Sequence, residues 1–196
     1  VEGMGTLSVL TTKQLQFSTL GIINRHKINA EILPEPAPQN TAPIIAAFAE
    51  LCFRKDPHSV AVVLPADHSI LPIDKFKADL EEAIQIAKAG NIVTLGIPPR
   101  GPSTAYGYME LNKSEKPLLV KKFTEKPDLA KAEQLLSQNA LWNSGLFFGS
   151  QQAFLNAFQE HTPLLFGWAQ KAFSLAQKDL DFIRLDKQSY AHITPL

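Results

Sequence analysis

Cysteine is nearly missing from this sequence: Cys52 stands alone among 196 residues, so no disulfide can form within the chain and a reducing compartment is expected. Cys52 sits in the apolar-rich run 46–53, where a buried structural thiol is the expected state. No apolar stretch approaches the length of a membrane span, and the first five residues lack the charged-then-apolar pattern of a signal peptide. The expected location is therefore cytoplasmic. Neither sign of charge dominates, because 19 Lys and Arg balance 19 Asp and Glu. That balance leaves no basic stripe for nucleic acid and no polybasic face for a membrane surface. Three motifs are also missing: the GxGxxG dinucleotide fingerprint, the GxxxxGK[ST] phosphate loop and the GxSxG nucleophile elbow. Five histidines and one cysteine show no zinc-like spacing.

What is present is an ordinary globular balance of 45% hydrophobic and 19% charged residues, arranged as short β-branched runs alternating with stretches of helical period. Residues 59–64 are continuously apolar after Ser59, as expected of a strand covered on both faces. Residues 73–89 then place Phe76, Leu80, Ala83, Ile84 and Ala87 on one helical face, ending at Gly90 in a C-terminal cap position. Residues 91–97 form the next strand, closed by Pro98 and Pro99. This β-α-β unit calls for a parallel sheet with right-handed crossovers. Further strands are expected over 7–10, 30–33, 106–111, 118–123 and 146–148. Helices are expected over 40–53 and 127–138, the latter with Pro127 in its first turn, and from Thr162-Pro163 with threonine as cap. The pattern predicts an α/β chain with a mixed sheet between helices. No repeat or long linker interrupts it, so residues 1–196 read as a single domain.

Several short segments carry candidate chemistry. Leu64-Pro65-Ala66-Asp67-His68 follows the most apolar strand, and open α/β sheets bind ligands beyond the carboxyl ends of their strands. Asp67 there could hold Mg²⁺ and through it a nucleotide phosphate, or simply cap a turn or the next helix. His68 reads as a hydrogen-bonded turn residue. In Phe123-Thr124-Glu125-Lys126-Pro127, Glu125 could accept bonds from sugar hydroxyls and Lys126 neutralise a phosphate; the alternative is a solvated ion pair. In Trp142-Asn143-Ser144-Gly145, the Asn143 amide suits hydroxyls that both donate and accept, whereas a bland reading has a glycine turn with Trp142 packed inward. Glu35-Pro36 and Pro38–Pro43 form a proline-rigid loop entering a helix. Its Asn40 or Thr41 could be an N-cap, or nearby free N–H groups could read a base edge. Gly107, between Tyr106 and Tyr108, would let a ligand or another backbone approach closely.

In this order and at this spacing, the five segments resemble the motifs of the mannose-1-phosphate guanylyltransferase family, over nearly the whole chain. The resemblance implies a Rossmann-like nucleotide-diphospho-sugar transferase fold, a three-layer α/β/α sandwich with a mixed, mostly parallel sheet. It implies transfer of GMP from GTP to mannose 1-phosphate, giving GDP-mannose and pyrophosphate. Catalysis would fall to Asp67, holding Mg²⁺, and to Lys126, near the sugar phosphate. Glu125 and Asn143 would hold sugar hydroxyls, Gly107 would admit the sugar, and the Asn40-Thr41 loop would help recognise guanine. The family's opening glycine-rich loop and its second metal-binding aspartate have no counterpart here. Pro38-Gln39 stand where the family carries Gly-Arg, and Ala105 where it carries glycine. The chain is therefore expected to be a central fragment, truncated at both ends, inactive alone and prone to self-association. Two alternatives stay open: a catalytically silent nucleotide-sugar-binding homologue, and a transferase for another sugar 1-phosphate such as glucose 1-phosphate.

Overall fold

The computed structural model describes residues 5–112, 114 and 116–194. Along the chain run β1 (Leu7–Thr12), α1 (Gln16–Arg25), β2 (Ala30–Glu35), α2 (Ala42–Lys55), β3 (Val60–Val63), α3 (Ile73–Lys88), β4 (Ile92–Ile97) and β5 (Tyr108–Asn112). They are followed by β6 (Leu119–Thr124), α4 (Leu129–Ser137), β7 (Leu141–Ser150), α5 (Gln151–His161), α6 (Pro163–Ser174), β8 (Gln177–Asp179), β9 (Phe182–Arg184) and α7 (Lys187–Ala191). The strands fall into two sheets, and the chain into two compact units: Val1–Ser59 with Phe154–Leu196, and Val60–Ala153.

In the first unit β1 and β2 are parallel, in register from Leu7–Ala30 to Thr12–Glu35. β2 pairs in parallel with β9, and β8 lies antiparallel beside it. Helix α1, which the sequence pattern does not announce, buries Ile23 against Ile32 and Phe182, with Val9, Leu20 and Ala30 around them. Its period is blurred because Phe17 and Ile22 stay exposed. Helix α2 begins at Ala42 rather than Asn40, since Asn40 takes φ +58, a left-handed conformation that no helical residue shares. Its Glu50 accepts from Gln170 on α6 at 3.2 Å, and Arg54 lies over the Phe173 ring at 5.0 Å. Burial pushes the Cys52 thiol up to about 11, the state of an inert structural cysteine. Thr162 occupies the cap position of α6 without a side-chain cap bond, and its hydroxyl instead donates back to the Phe158 carbonyl at 3.3 Å.

The second unit is organised around β7. Its far half takes β3 antiparallel, from Val60–Ser150 to Val63–Phe147. β4 runs antiparallel along β7 from Ile92–Gly149 to Ile97–Trp142. The near end of β7 also takes β5, through Tyr108–Trp142 and Met109–Leu141, and β6 continues antiparallel beyond β5. β3 and β4 therefore point the same way, as the β-α-β reading requires, but β7 returns between them. The sheets are mixed, as expected of an α/β chain. Parallel pairs are confined to β1–β2 and β2–β9 among the described residues, so the expected preponderance of parallel pairing gives way to antiparallel ladders wherever β7 inserts.

Helix α3 seats Leu80, Ala83 and Ala87 on Leu146 and Phe148, with Phe76, Ile84, Val93 and Leu95 at the margin. Gly90, at φ +91, turns the chain into β4 from the left-handed position that ends many helices. Ala132 and Leu135 of α4 pack on Tyr108 and Ala140, with Trp142 beside them. Helix α4 starts later than the sequence suggests: Asp128 is its cap, accepting from the Lys131 N–H at 2.8 Å, so Pro127 precedes the cap instead of opening the first turn. Asp128→Ala should therefore cost about 1 kcal/mol of stability. Urea denaturation against the parent chain measures it, and an unchanged midpoint would show that the cap contributes nothing.

Candidate functional site

The site in the second unit begins with a break in the β4–β7 ladder. Thr94 pairs with Phe147 and Gly96 with Asn143, so Leu95 alone stands opposite Ser144, Gly145 and Leu146. The extra residues bulge, and Gly145 takes φ +73 there, a left-handed conformation that glycine adopts without steric cost. The Asn143 backbone N–H donates to the Gly107 carbonyl at 2.8 Å, tying the bulge to the start of β5. Asn143 Oδ1 accepts twice, from the Thr94 hydroxyl at 3.0 Å and from the Gly145 N–H at 3.2 Å.

Pairing of Tyr108 with Thr124 carries the next residue of the β6 exit, Glu125, beside Gly107. A methyl group built on Gly107 would lie 2.5 Å from Glu125 Oε2 and 3.7 Å from Asn143 Cβ. Three residues expected from the sequence, Gly107, Glu125 and Asn143, thus come together. Thr94 joins them unannounced, since a threonine in a β-branched strand carries no signal of its own. Lys126 sits at φ +40 with Nζ 3.7 Å from Glu125 Oε1, and both side chains are two-thirds exposed. Trp142 packs against Tyr106 at 4.7 Å and Tyr108 at 6.5 Å between ring centroids, a half-buried ring at the margin of the α4 core.

Asp67 lies beyond the end of β3 with its side chain 89% exposed, and His68 Nε2 is 3.9 Å away. It does not cap α3, whose cap position is Pro72. The same turn touches the bulge: a methyl on Gly145 would stand 3.4 Å from Pro65 Cγ. Among the described residues no three His, Cys, Asp or Glu side chains converge to hold a metal ion. A lone, exposed carboxylate still suits Mg²⁺, which keeps most of its water and takes one or two protein oxygens alongside phosphate.

Asn40 and Thr41 belong to the first unit. Thr41 occupies the cap position of α2 but makes no side-chain cap bond, so the simple capping alternative is not realised. The loop is instead held by Glu35, only 7% exposed at the end of β2. Glu35 Oε1 accepts from the Tyr190 hydroxyl at 2.5 Å and from the Gln39 N–H at 3.2 Å. Sequence reasoning had no means of finding Tyr190, which is 155 residues away. A cavity of about 360 Å³ opens here at the carboxyl ends of β1 and β2, lined by Thr12, Lys13, Gln14, Gln16, Glu35, Pro36 and Pro38. Burial raises the Glu35 carboxyl above its ordinary range, while the two donors pull it part of the way back.

Known proteins resemble this chain over most of its length. The profile of the family described as "Nucleotidyl transferase" matches residues 2–188. The chain is 38% identical over 161 residues to the xanthan biosynthesis protein XanB of Xanthomonas campestris pv. campestris (strain B100), covering 82% of this chain and 34% of that protein. It is 36% identical over 174 residues to the mannose-1-phosphate guanylyltransferase of Escherichia coli (strain K12), covering 84% and 36%. The crystal structure of mannose-6-phosphate isomerase from Helicobacter pylori matches with a TM-score of 0.84 at 26% identity, over 97% of this chain and 75% of that one. The chain spans about a third of the length of the curated relatives it matches.

The Glu35 shift has a definite sign. A carboxyl raised in the folded state holds more protons there than in the unfolded chain, so its contribution to stability is full at acid pH and is lost as pH rises through the folded value. Glu35→Gln keeps the acceptor for Tyr190 and Gln39 but cannot ionise. The stability of this variant relative to the parent should therefore rise between pH 4 and pH 7 in matched urea titrations. A difference that stays flat across that range would contradict the assignment.

Proposed function

The chain belongs to the nucleotidyl transferase family, and from that premise we propose that the protein carrying it transfers GMP from GTP to mannose 1-phosphate. The observation that supports this most directly is the meeting of Glu125, Asn143 and Gly107. A carboxylate offers acceptors and an amide offers donors over a glycine that leaves room for a ring, which suits neighbouring hydroxyls of a sugar. The names of the relatives favour mannose as that sugar.

In the proposed reaction a phosphate oxygen of mannose 1-phosphate attacks the α-phosphorus of GTP. The new P–O bond forms as the bond to the bridging oxygen breaks, and pyrophosphate leaves. The attacking oxygen is already anionic, so no strong general base is needed, and positioning with charge neutralisation does most of the work. Lys126, exposed and beside Glu125, would face the sugar phosphate. Asp67 would hold Mg²⁺, which when bound supplies positive charge to the nucleotide phosphates. The loop with Asn40 and Thr41, braced by Glu35, would meet the guanine.

The test is Mg²⁺-dependent pyrophosphate release from GTP and mannose 1-phosphate by the protein that carries this chain. Asp67→Ala should lower the rate by roughly a hundredfold or more. Binding of GDP-mannose without any release would instead identify a catalytically silent homologue, and faster release with glucose 1-phosphate would move the protein to another sugar. Gly107→Ala tests the room beside Glu125 directly. The new methyl meets the mobile end of Glu125, so stability should stay within about 0.5 kcal/mol while GDP-mannose affinity drops. Equal affinity by calorimetry would remove Gly107 from the site.

A further inference from the structure

We infer that Thr94 is a positioning residue: its hydroxyl holds the Asn143 carboxamide in one orientation, leaving the amide nitrogen as the group that a ligand meets. This deepens the proposed function and rests on it for the identity of the ligand.

The orientation follows from which atoms can donate. The Gly145 backbone nitrogen carries a hydrogen and no available lone pair, so the Asn143 atom 3.2 Å from it must be the oxygen. With the oxygen placed, the Thr94 hydroxyl at 3.0 Å has to donate to it. Both acceptor positions of Oδ1 are then occupied, while among the described residues Nδ2 donates to none. The two holds differ in kind. Gly145 lies two residues along the same strand and moves with Asn143, as in a local side-chain-to-backbone turn. Thr94 lies 49 residues away on β4, so its bond fixes the carboxamide against a separate strand. Threonine is also stiff about χ1, which makes its hydroxyl a better fixed point than serine's.

The chemical consequence is polarity. Glu125 can only accept when ionised, so the site already has an acceptor beside Gly107. An Asn143 amide locked with its nitrogen free adds the complementary donor. Two neighbouring hydroxyls are then read in a set sense, one donating to Glu125 and the other accepting from Asn143. If the amide turned over, Glu125 and Asn143 would both present acceptors there.

Thr94→Val keeps the branched shape that β4 needs and removes only the hydroxyl, whereas Thr94→Ser keeps it. In ligand-free NMR of the 196-residue chain, the Asn143 side-chain amide should be ordered in the parent and in Thr94→Ser, and mobile in Thr94→Val. In the parent itself the Thr94 hydroxyl proton should exchange slowly with water, a readout that needs no variant. GDP-mannose affinity measured by calorimetry should fall about fivefold in Thr94→Val and stay within about twofold in Thr94→Ser. An Asn143 amide equally ordered in the valine variant, or a Thr94 hydroxyl that exchanges as fast as an exposed one, would overturn the inference. Failure of the protein that carries this chain to bind GDP-mannose, while the amide readouts hold, would count against the guanylyl-transfer reading and leave the positioning role standing.

Discussion

The interruption of the β4–β7 ladder between Asn143 and Phe147 is the constraint on which the cluster of Gly107, Glu125 and Asn143 depends. A bulge deprives backbone groups of their ladder partners, and those groups must find others. Here side chains supply them. Asn143 Oδ1 takes the Gly145 N–H, and Ser144 Oγ takes the Leu146 N–H at 3.2 Å. The repair is what aims Asn143, because the same oxygen that satisfies the backbone is the one anchored by Thr94. Structure and candidate chemistry are thus the same few bonds. The strand beyond the bulge returns at once to regular pairing with both β3 and β4, and that rigid frame confines the irregularity to the residues that use it.

The first unit handles its loop differently. There one buried carboxylate gathers the chain, with Glu35 joining the end of β2 to Gln39 in the loop and to Tyr190 in α7. Burial lifts the Tyr190 phenol well above its usual range, so it remains a donor at every physiological pH. The loop before α2 is therefore held by a hydrogen bond to a tertiary partner and not by a helix cap. Pro38 and the left-handed Asn40 add local stiffness on either side of Gln39.

Much of the fold was legible because the strongest signals are periodic. The helical stripe of α3 and the apolar run of β3 are local patterns, and both emerge where the sequence puts them. β7 was legible only in part, since Asn143-Ser144-Gly145 reads as a turn when its role as a bulge depends on β4 opposite. The antiparallel return of β7 between β3 and β4 has no local signature either. It is a pairing choice across the chain. In the site, the residues that carry distinctive chemistry in short segments could be named in advance. Thr94 and Tyr190 could not, because each matters only through a bond to a residue far along the chain.

The bulge also sets a rule of parity. On β4 one residue separates Thr94 from Gly96, and on β7 three separate Asn143 from Phe147, so the surplus is two. Side chains alternate faces along a strand, and an even surplus leaves every later residue on its proper side. Losing a single residue from this stretch would either exchange the places of Phe147 and the fully buried Phe148 or demand a two-against-one bulge in place of the present one. Losing two would restore a plain ladder with the core intact and the Asn143 anchor gone. An even change of length at this point thus leaves the faces as they are, and a shortening by two keeps the fold while it removes the bulge that aims Asn143.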